Sequence, residues 1–471
     1  MATGSFAVMD EQKLKRFHWR ALITTGLGVF CDGFDLSSIG IVLPLVLASF
    51  GIAKIGGIEA GLLAGSALVG AALGALIFGV LGQRGRKRFY GLDVLLMGVM
   101  AIAQAFAPNL EWLIAIRFVL GIGIGADYVL SPTIMAEHAN RADRGKIIGL
   151  GFGLMWPLGA LGAALLNFAL AGLGVSADLQ WRLVLAAGAI PAFAVLYLRR
   201  TMPETARFLA RLADEPGEAV KVIHTISGQN VAHPAADARP FGAVFAAHAR
   251  MIFSAALLWL LFDIVVYSGI LFGPSLIAKS LGLGPVEFSL LMSIIFSLPS
   301  AFAFANFGLD RFGRKPIQVW GFVGAAAMLL LFAVLKQNLA ALPLLGLFVF
   351  GLYTVAINGP SIVSGAGILG VELSPTRIRT VGQSITVVGG RIGASISAFL
   401  FPLLFTSIGE VGVIALLAGV ALLGAGATYL LVPETAGKSL EALNDDCFHR
   451  SRQSRWPVEA RCACRSERIA A

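Results

Sequence analysis

Charge is scarce in this chain. Asp, Glu, Lys and Arg make up 13% of 471 residues, against about 25% in a soluble domain. So few cannot cover a water-exposed surface, and the 57% hydrophobic content and mean hydropathy of +0.82 place most of the surface in lipid. Cysteine is scarce too. Cys31 lies in an apolar run and Cys447, Cys462 and Cys464 lie in the tail, a distribution that argues against a disulfide framework. The lone Cys462-x-Cys464 pair falls short of the four ligands of a structural zinc site. Nothing reads as a Walker A loop, a metal-ligand cluster or a Ser/His/Asp set, so neither an enzyme nor a nucleotide-driven pump is indicated, and no cofactor or metal is expected. His138, His224, His233, His248 and His449 read as exposed loop histidines without a role.

What is abundant is apolar sequence in long runs. A spanning helix takes roughly 20 such residues, and twelve candidates occur, at 21–48, 60–81, 89–107, 110–135, 146–172, 181–199, 251–278, 286–308, 317–335, 340–366, 380–407 and 411–432. The polar stretch Arg200 to Arg250 divides them six and six. The expected organisation is a polar N-terminus (1–20), unlike a cleaved signal peptide, a six-helix bundle (21–199), a central loop (200–250), a second bundle (251–432) and a tail (433–471). This is an all-α membrane protein of two six-helix pseudo-repeats. Fifty-six glycines suit close helix packing in a bilayer.

Lys and Arg orient it. The loops after spans 2, 4, 8 and 10 carry Arg84, Arg86, Lys87 and Arg88; Arg141, Arg144 and Lys146; Arg311, Arg314 and Lys315; and Arg377 and Arg379. The alternate short loops carry only Lys54, Lys279 and Lys336. The positive-inside rule puts both termini and the central loop in the cytoplasm. The same asymmetry accounts for much of the net charge of +9 without a nucleic acid partner. The expected partners are the bilayer, a small-molecule substrate and a proton.

The two halves repeat a motif. Gly85-Arg86-Lys87-Arg88 follows span 2, and Asp310-Arg311-Phe312-Gly313-Arg314-Lys315 follows span 8. A six-span repeat is a sign of transporter duplication, with the substrate site near the midplane between the halves. The second loop resembles the signature loop of the major facilitator superfamily. Pro203-Glu204-Thr205-Ala206-Arg207-Phe208 and Pro433-Glu434-Thr435-Ala436-Gly437-Lys438-Ser439-Leu440-Glu441 end the halves as in its sugar-porter branch. Gly125-Ala126-Asp127-Tyr128-Val129-Leu130-Ser131, with Glu137 and Arg144-Gly145, resembles the phosphate:proton symporters, as does Trp259-x3-Asp263-x3-Tyr267. Asp32-Gly33-Phe34-Asp35 and Gly390-Arg391-Ile392-Gly393 resemble the aromatic-acid:proton symporters.

These resemblances imply the major facilitator fold and a proton-coupled secondary transporter, in a bacterial inner membrane, of a small anionic solute, phosphate or an organic acid. The alternative is a sugar or polyol transporter of the same fold. The chain also departs from the families it resembles. Gln83 stands where the first signature loop has an Asp that helps lock the cytoplasmic side. Trp156 stands where the phosphate symporters have Gln, Arg391 near their Lys, and Ser361 after Gly359-Pro360 where they have Asn.

Ionisable groups inside spans cost at least about 2.5–3.5 kcal/mol on insertion scales, so they face a cavity or a partner. Asp32 and Asp35, three apart, share a helix face. Neighbouring carboxylates in a low dielectric resist joint ionisation, so with Asp127 they are the proton-coupling candidates; otherwise one of them only caps a kink at Gly33. Trp259, Asp263 and Tyr267 form one stripe, either a cavity wall or packing. Tyr128 adds a hydroxyl, and Asn358 beside Ser361 adds polar groups in span 10. Arg391 offers a planar fork for an oxyanion or neutralises one of the aspartates. Arg117 and Asp93 are expected to be structural. Arg86, Glu137, Arg144, Asp310, Arg314, Glu372 and Arg377 lie at cytoplasmic ends and are expected to form a gating network.

Overall fold

The computed structural model describes residues 4–52, 58–339 and 342–444. Lys54, His449 and the three tail cysteines lie outside them. Among the described residues every regular element is a helix. Eleven are long and apolar enough to cross a membrane. We number the spans 1 (Arg16–Ser49), 2 (Ile58–Arg84), 4 (Leu110–His138), 5 (Arg144–Gly172), 6 (Ala177–Arg199), 7 (Phe241–Ser280), 8 (Pro285–Phe312), 9 (Arg314–Lys336), 10 (Pro343–Glu372), 11 (Arg379–Ser407) and 12 (Gly409–Leu431). Span 3, expected at 89–107, is a helix of only 13 residues, Leu92–Gln104. Its start is set by Gly91, at a φ of +135° that favours glycine, and by the Asp93 carboxylate, which accepts the Gly91 N–H at 2.7 Å.

Span 7 starts ten residues before its expected position. Val244 packs there against Ile252 and Ile378, and His248 is buried, with its ring Nδ1 2.8 Å from the Val244 carbonyl. His138 is buried as well. Neither is the exposed loop histidine that its polar neighbourhood suggested, because both ride on helices that extend past the apolar core.

Large apolar side chains cover the outside, among them Leu344, Tyr197 and Leu430, while the charges deep in the spans, Asp32, Asp35, Arg117, Asp127, Asp263 and Arg391, are buried within the bundle. The polarity gradient is that of a protein in hydrocarbon. Helices approach closely where glycines meet backbone. A Cβ at Gly121 would overlap the Ala67 carbonyl and one at Gly125 the Ala71 carbonyl, while Gly70 and Gly74 return the contact against Phe118 and Ile122. Spans 2 and 4 are thereby locked backbone to backbone.

Four spans that meet at the centre carry wide, π-type turns: Gly149–Leu154, Gly273–Ile277, Met292–Ser297 and Ser361–Gly365. Pro157 and Pro299 follow two of them. A helical proline clashes with the carbonyl four residues earlier, which here falls inside the wide turn. Such turns open the helix wall where a cavity forms. At the end carrying the basic loops, Phe6 and Met9 of a short helix, Gly4–Glu11, pack on Phe208, Leu209, Ile223 and Ile226 of the central segment.

Candidate functional site

A cavity lies between the halves. Its wall includes Tyr128, Trp156, Asp263, Tyr267, Asn358, Ser361 and Arg391 of the sequence candidates. Trp259 is not on the wall. It is fully buried behind it, filling the space over Gly390, where a Cβ would strike its indole. The stripe on span 7 therefore presents its acid and tyrosine to the cavity and its tryptophan to span 11.

Arg391 organises one end. Its Nη2 donates to Asp263 Oδ2 at 2.8 Å and its Nη1 to the Tyr267 hydroxyl at 2.8 Å, and its guanidinium lies 4.6 Å from the centre of the Tyr128 ring. Trp156 Nε1 donates to the Tyr128 hydroxyl at 2.9 Å. Arg391 thus neutralises Asp263, in span 7, and none of the span 1 or span 4 acids. Its Nε, Asp263 Oδ1 and the indole N–H of Trp259 are buried without a hydrogen-bond partner among the described residues. The Tyr128 and Tyr267 hydroxyls accept from Trp156 and Arg391 and lie beside one another. Arg391, Tyr267 and Tyr128 thus place a cation and two hydroxyls on one stretch of the cavity wall, a chemistry that suits an oxyanion.

The span 1 acids lie outside the cavity lining and diverge. Both oxygens of Asp32 and both of Asp35 are buried without hydrogen-bond donors. The strongest charged neighbours of Asp32 are Asp127 and Arg199, whereas that of Asp35 is Arg117. Sharing a helix face did not make them each other's main partner. Arg199, at the end of span 6, donates to both Asp127 and Asp93 and lies 3.7 Å over the Tyr90 ring. Gly28 makes room for it, because a Cβ there would overlap the guanidinium. Ser131 also donates to Asp127, at 2.7 Å. Arg117 bonds Gln104 and the Leu63 carbonyl and keeps Nη2 unpartnered. The sequence reading missed Arg199 because it sits beside Arg200 at a span end and reads as one more basic flank.

At the end carrying the basic loops the halves meet in a charge network with two-fold pseudo-symmetry. Glu137 accepts Arg379 Nη1 at 2.8 Å from the other half and Arg86 Nη2 at 3.4 Å from its own. Glu372 accepts Arg144 Nε at 2.7 Å from the other half and Arg314 Nη2 at 3.2 Å from its own. All are buried. The Glu of each Pro-Glu-Thr caps the basic loop of its half: Glu204 takes the Lys87 N–H, and Glu434 those of Arg314 and Lys315. Arg377, expected in this network, is only half-buried with an unpartnered Nε; Arg379 takes the place. The repeat itself held the signal, since Glu372 precedes Arg379 by the same seven residues that separate Glu137 from Arg144.

Asp310 crosses between halves to accept the N–H groups of Gly145 at 3.0 Å and Lys146 at 2.7 Å. Its missing counterpart, Gln83, donates to Thr380 Oγ1 at 2.8 Å. One cross-half cap is ionic and the other neutral. Arg207 joins three segments: it donates to Asp10 at 2.9 Å, to Glu441 at 2.8 Å and to the Glu137 carbonyl at 2.7 Å. Burial pushes the Glu441 carboxyl up, but Arg207 outweighs it and holds the group down at about 2. At Asp10 burial wins over Arg207 and the carboxyl is raised.

A family model described as sugar (and other) transporter matches residues 21–446. The chain is 30% identical to the probable inorganic phosphate transporter 1-10 of Oryza sativa subsp. japonica, across 94% of this chain and 92% of that one. It is 31% identical to the inorganic phosphate transporter 1-6 of the same plant, across 93% and 94%. Among solved structures, the proton:xylose symporter XylE bound to 6-bromo-6-deoxy-D-glucose superposes with a TM-score of 0.74 at 22% identity, over 91% of this chain and 99% of that one. The inward open conformation of the E. coli xylose transporter XylE superposes with 0.65 at 21%, over 90% and 99%.

Proposed function

The chain belongs to the sugar (and other) transporter family, and on that premise we propose that it carries a small anionic solute, phosphate or an organic acid, by proton-coupled alternating access. The observation that carries the reading is Arg391, a permanent cation in the cavity wall beside the Tyr267 and Tyr128 rings, with an acid, Asp263, as its resting partner. An arriving anion competes with Asp263 for the guanidinium. If Asp263 takes a proton as the anion binds, one proton and one negative charge load together and the cavity stays neutral, which spares the protein a bare charge in a low dielectric.

Asp32 and Asp35 suit the second proton step. Each buries its oxygens without donors, and a carboxylate so placed is compensated by binding a proton. Asp35 faces Arg117 and Asp32 faces the Asp127–Arg199–Asp93 cluster. Protonation of either removes a negative charge that acts on an arginine through space, and deprotonation restores it. Glu137–Arg379, Glu372–Arg144 and Asp310 across the halves then serve as the gate on the closed side. The basic loops support placing that side in the cytoplasm. The named relatives are plant proteins, so a bacterial inner membrane draws no support from them.

The test is uptake into proteoliposomes under an imposed pH gradient. Phosphate or a carboxylate should accumulate when the outside is acid. Asp35→Asn should abolish accumulation while leaving exchange of preloaded solute. Accumulation of a neutral hexose alone, unaffected by Arg391→Gln, would overturn the anion reading and favour the sugar alternative, which the family description and the fold neighbours keep in view.

A further inference from the structure

The cavity is charged at one end only. Beyond Arg391, the apolar residues Ile41, Val266, Ile270, Phe288, Met292 and Phe350 line the wall toward the side away from the basic loops, with Ser289, Ser293 and Thr354 between them. From Asp263 to Ile270 the helical rise alone covers about 10 Å, so the apolar part is as long as an aromatic ring with its substituent. Most of the polar side chains in this region are already satisfied by backbone. Ser289 donates to the Pro285 carbonyl, Thr354 to Phe350 and Tyr353 to Val265, and Asn358 spends its amide on Ser297 and Ser300. Trp156 has committed its N–H to Tyr128 and offers the cavity a flat indole face.

Charge narrows the head group. Asp263 sits 2.8 Å from Arg391 and keeps Oδ1 unpartnered. Once Asp263 takes its proton, Arg391 leaves a single positive charge, which a monoanion matches and a dianion exceeds. The wall narrows the rest: pockets that enclose a whole small molecule are mostly apolar with a few polar groups that fix orientation, and this cavity follows that pattern. A bare tetrahedral oxyanion would leave most of this wall wet.

We propose that the transported solute is a monocarboxylate with an apolar, ring-sized body, its carboxylate on Arg391 and its body between Trp156, Val266, Ile270 and Met292. This rests on the anion reading above and adds the body to it. The head group is positioned by Arg391, Tyr267 and Tyr128, and the wall selects the body.

The purified full chain is titrated with phenylacetate, acetate, phosphate and xylose, with tryptophan fluorescence and thermal shift as readouts. Phenylacetate is expected to bind at least roughly tenfold tighter than acetate or phosphate, the gain that burial of one aromatic ring supplies. Ile270→Thr should weaken phenylacetate about fivefold and leave acetate unchanged. Arg391→Gln should remove both, which separates site binding from partition into detergent. Phosphate or acetate bound as tightly as phenylacetate, and lost in Arg391→Gln, overturns the apolar-body inference while the anion site stands. Response to xylose alone, response to none of the four, or phenylacetate binding that survives Arg391→Gln overturns both.

Discussion

Replacing Glu372 by Gln removes one charge from the centre of the gate with almost no change of shape. Glu372 receives Arg144 at 2.7 Å and Arg314 at 3.2 Å, and all three side chains are fully buried. Removing one partner of a buried pair costs about 3–5 kcal/mol, since it leaves a buried charge without compensation. Not all of that acts on opening. Arg314 belongs to the same half as Glu372 and travels with it, so its share is similar in both conformations. Arg144 belongs to the other half and loses Glu372 when the halves part. Assigning about half of the cost to that contact leaves about 2 kcal/mol, or roughly a 30-fold shift toward the state open at the basic end. Ser374, fully buried at the same closed end, is a suitable reporter. With Cys447, Cys462 and Cys464 replaced by Ser, the maleimide labelling rate of Ser374→Cys should rise by that factor in Glu372→Gln. Arg144→Gln should give a comparable rise, and the double variant should fall well short of the product, because the two remove one interaction. A change below threefold in Glu372→Gln, or full additivity, would refute the assignment of this pair to gating.

The pseudo-symmetric site should behave alike: Glu137→Gln breaks the cross-half bond to Arg379 and should also accelerate labelling at position 374. Gln83→Asp should do the reverse, slowing labelling by roughly threefold, since a carboxylate there can cap the start of span 11 as Asp310 caps that of span 5, an effect of about 0.3–1 kcal/mol; faster labelling would sink that reading. Glu441 is held at about 2 against an ordinary 4.5, so its stabilisation, on the order of 3 kcal/mol, is complete above about pH 4.5 and fades as pH falls toward 2. The melting-temperature gap between wild type and Glu441→Gln should therefore narrow on acidification below pH 4.5, whereas the contribution of Asp10, whose carboxyl is raised, is present at low pH and fades as pH rises. Gly125→Val would drive a side chain into the Ala71 carbonyl and should cut the yield of monodisperse protein severely; a normal yield would contradict the close packing of spans 2 and 4.

The gate shows how far the repeat could be read. Arg86, Glu137, Arg144, Asp310, Arg314 and Glu372 announce themselves by motif and position, and the structure gathers all six at one end. Arg377 was a wrong choice between two neighbouring arginines, because composition cannot say which of them a helix start turns inward. The cavity was less legible. Its charged members stood out, since a charge in an apolar run needs a partner. The partner itself did not: Arg391 took Asp263 rather than a span 1 acid, and Trp259 turned away from the cavity.

By itself the sequence determined the membrane-spanning helices and the duplicated halves, because hydrocarbon tolerates little but long apolar helices and a repeat survives as matched motifs. Its basic loops supplied the expected orientation. Pairings across the bundle were decided only by tertiary structure. Which aspartate meets Arg199, Arg117 or Arg391 depends on the rotation and approach of each helix, and these are set by glycine contacts and wide turns summed over many residues. The apolar wall above Arg391 belongs to the same class. Ile41, Val266, Met292 and Phe350 are ordinary in any spanning helix, and only their convergence on one cavity gives them something to select.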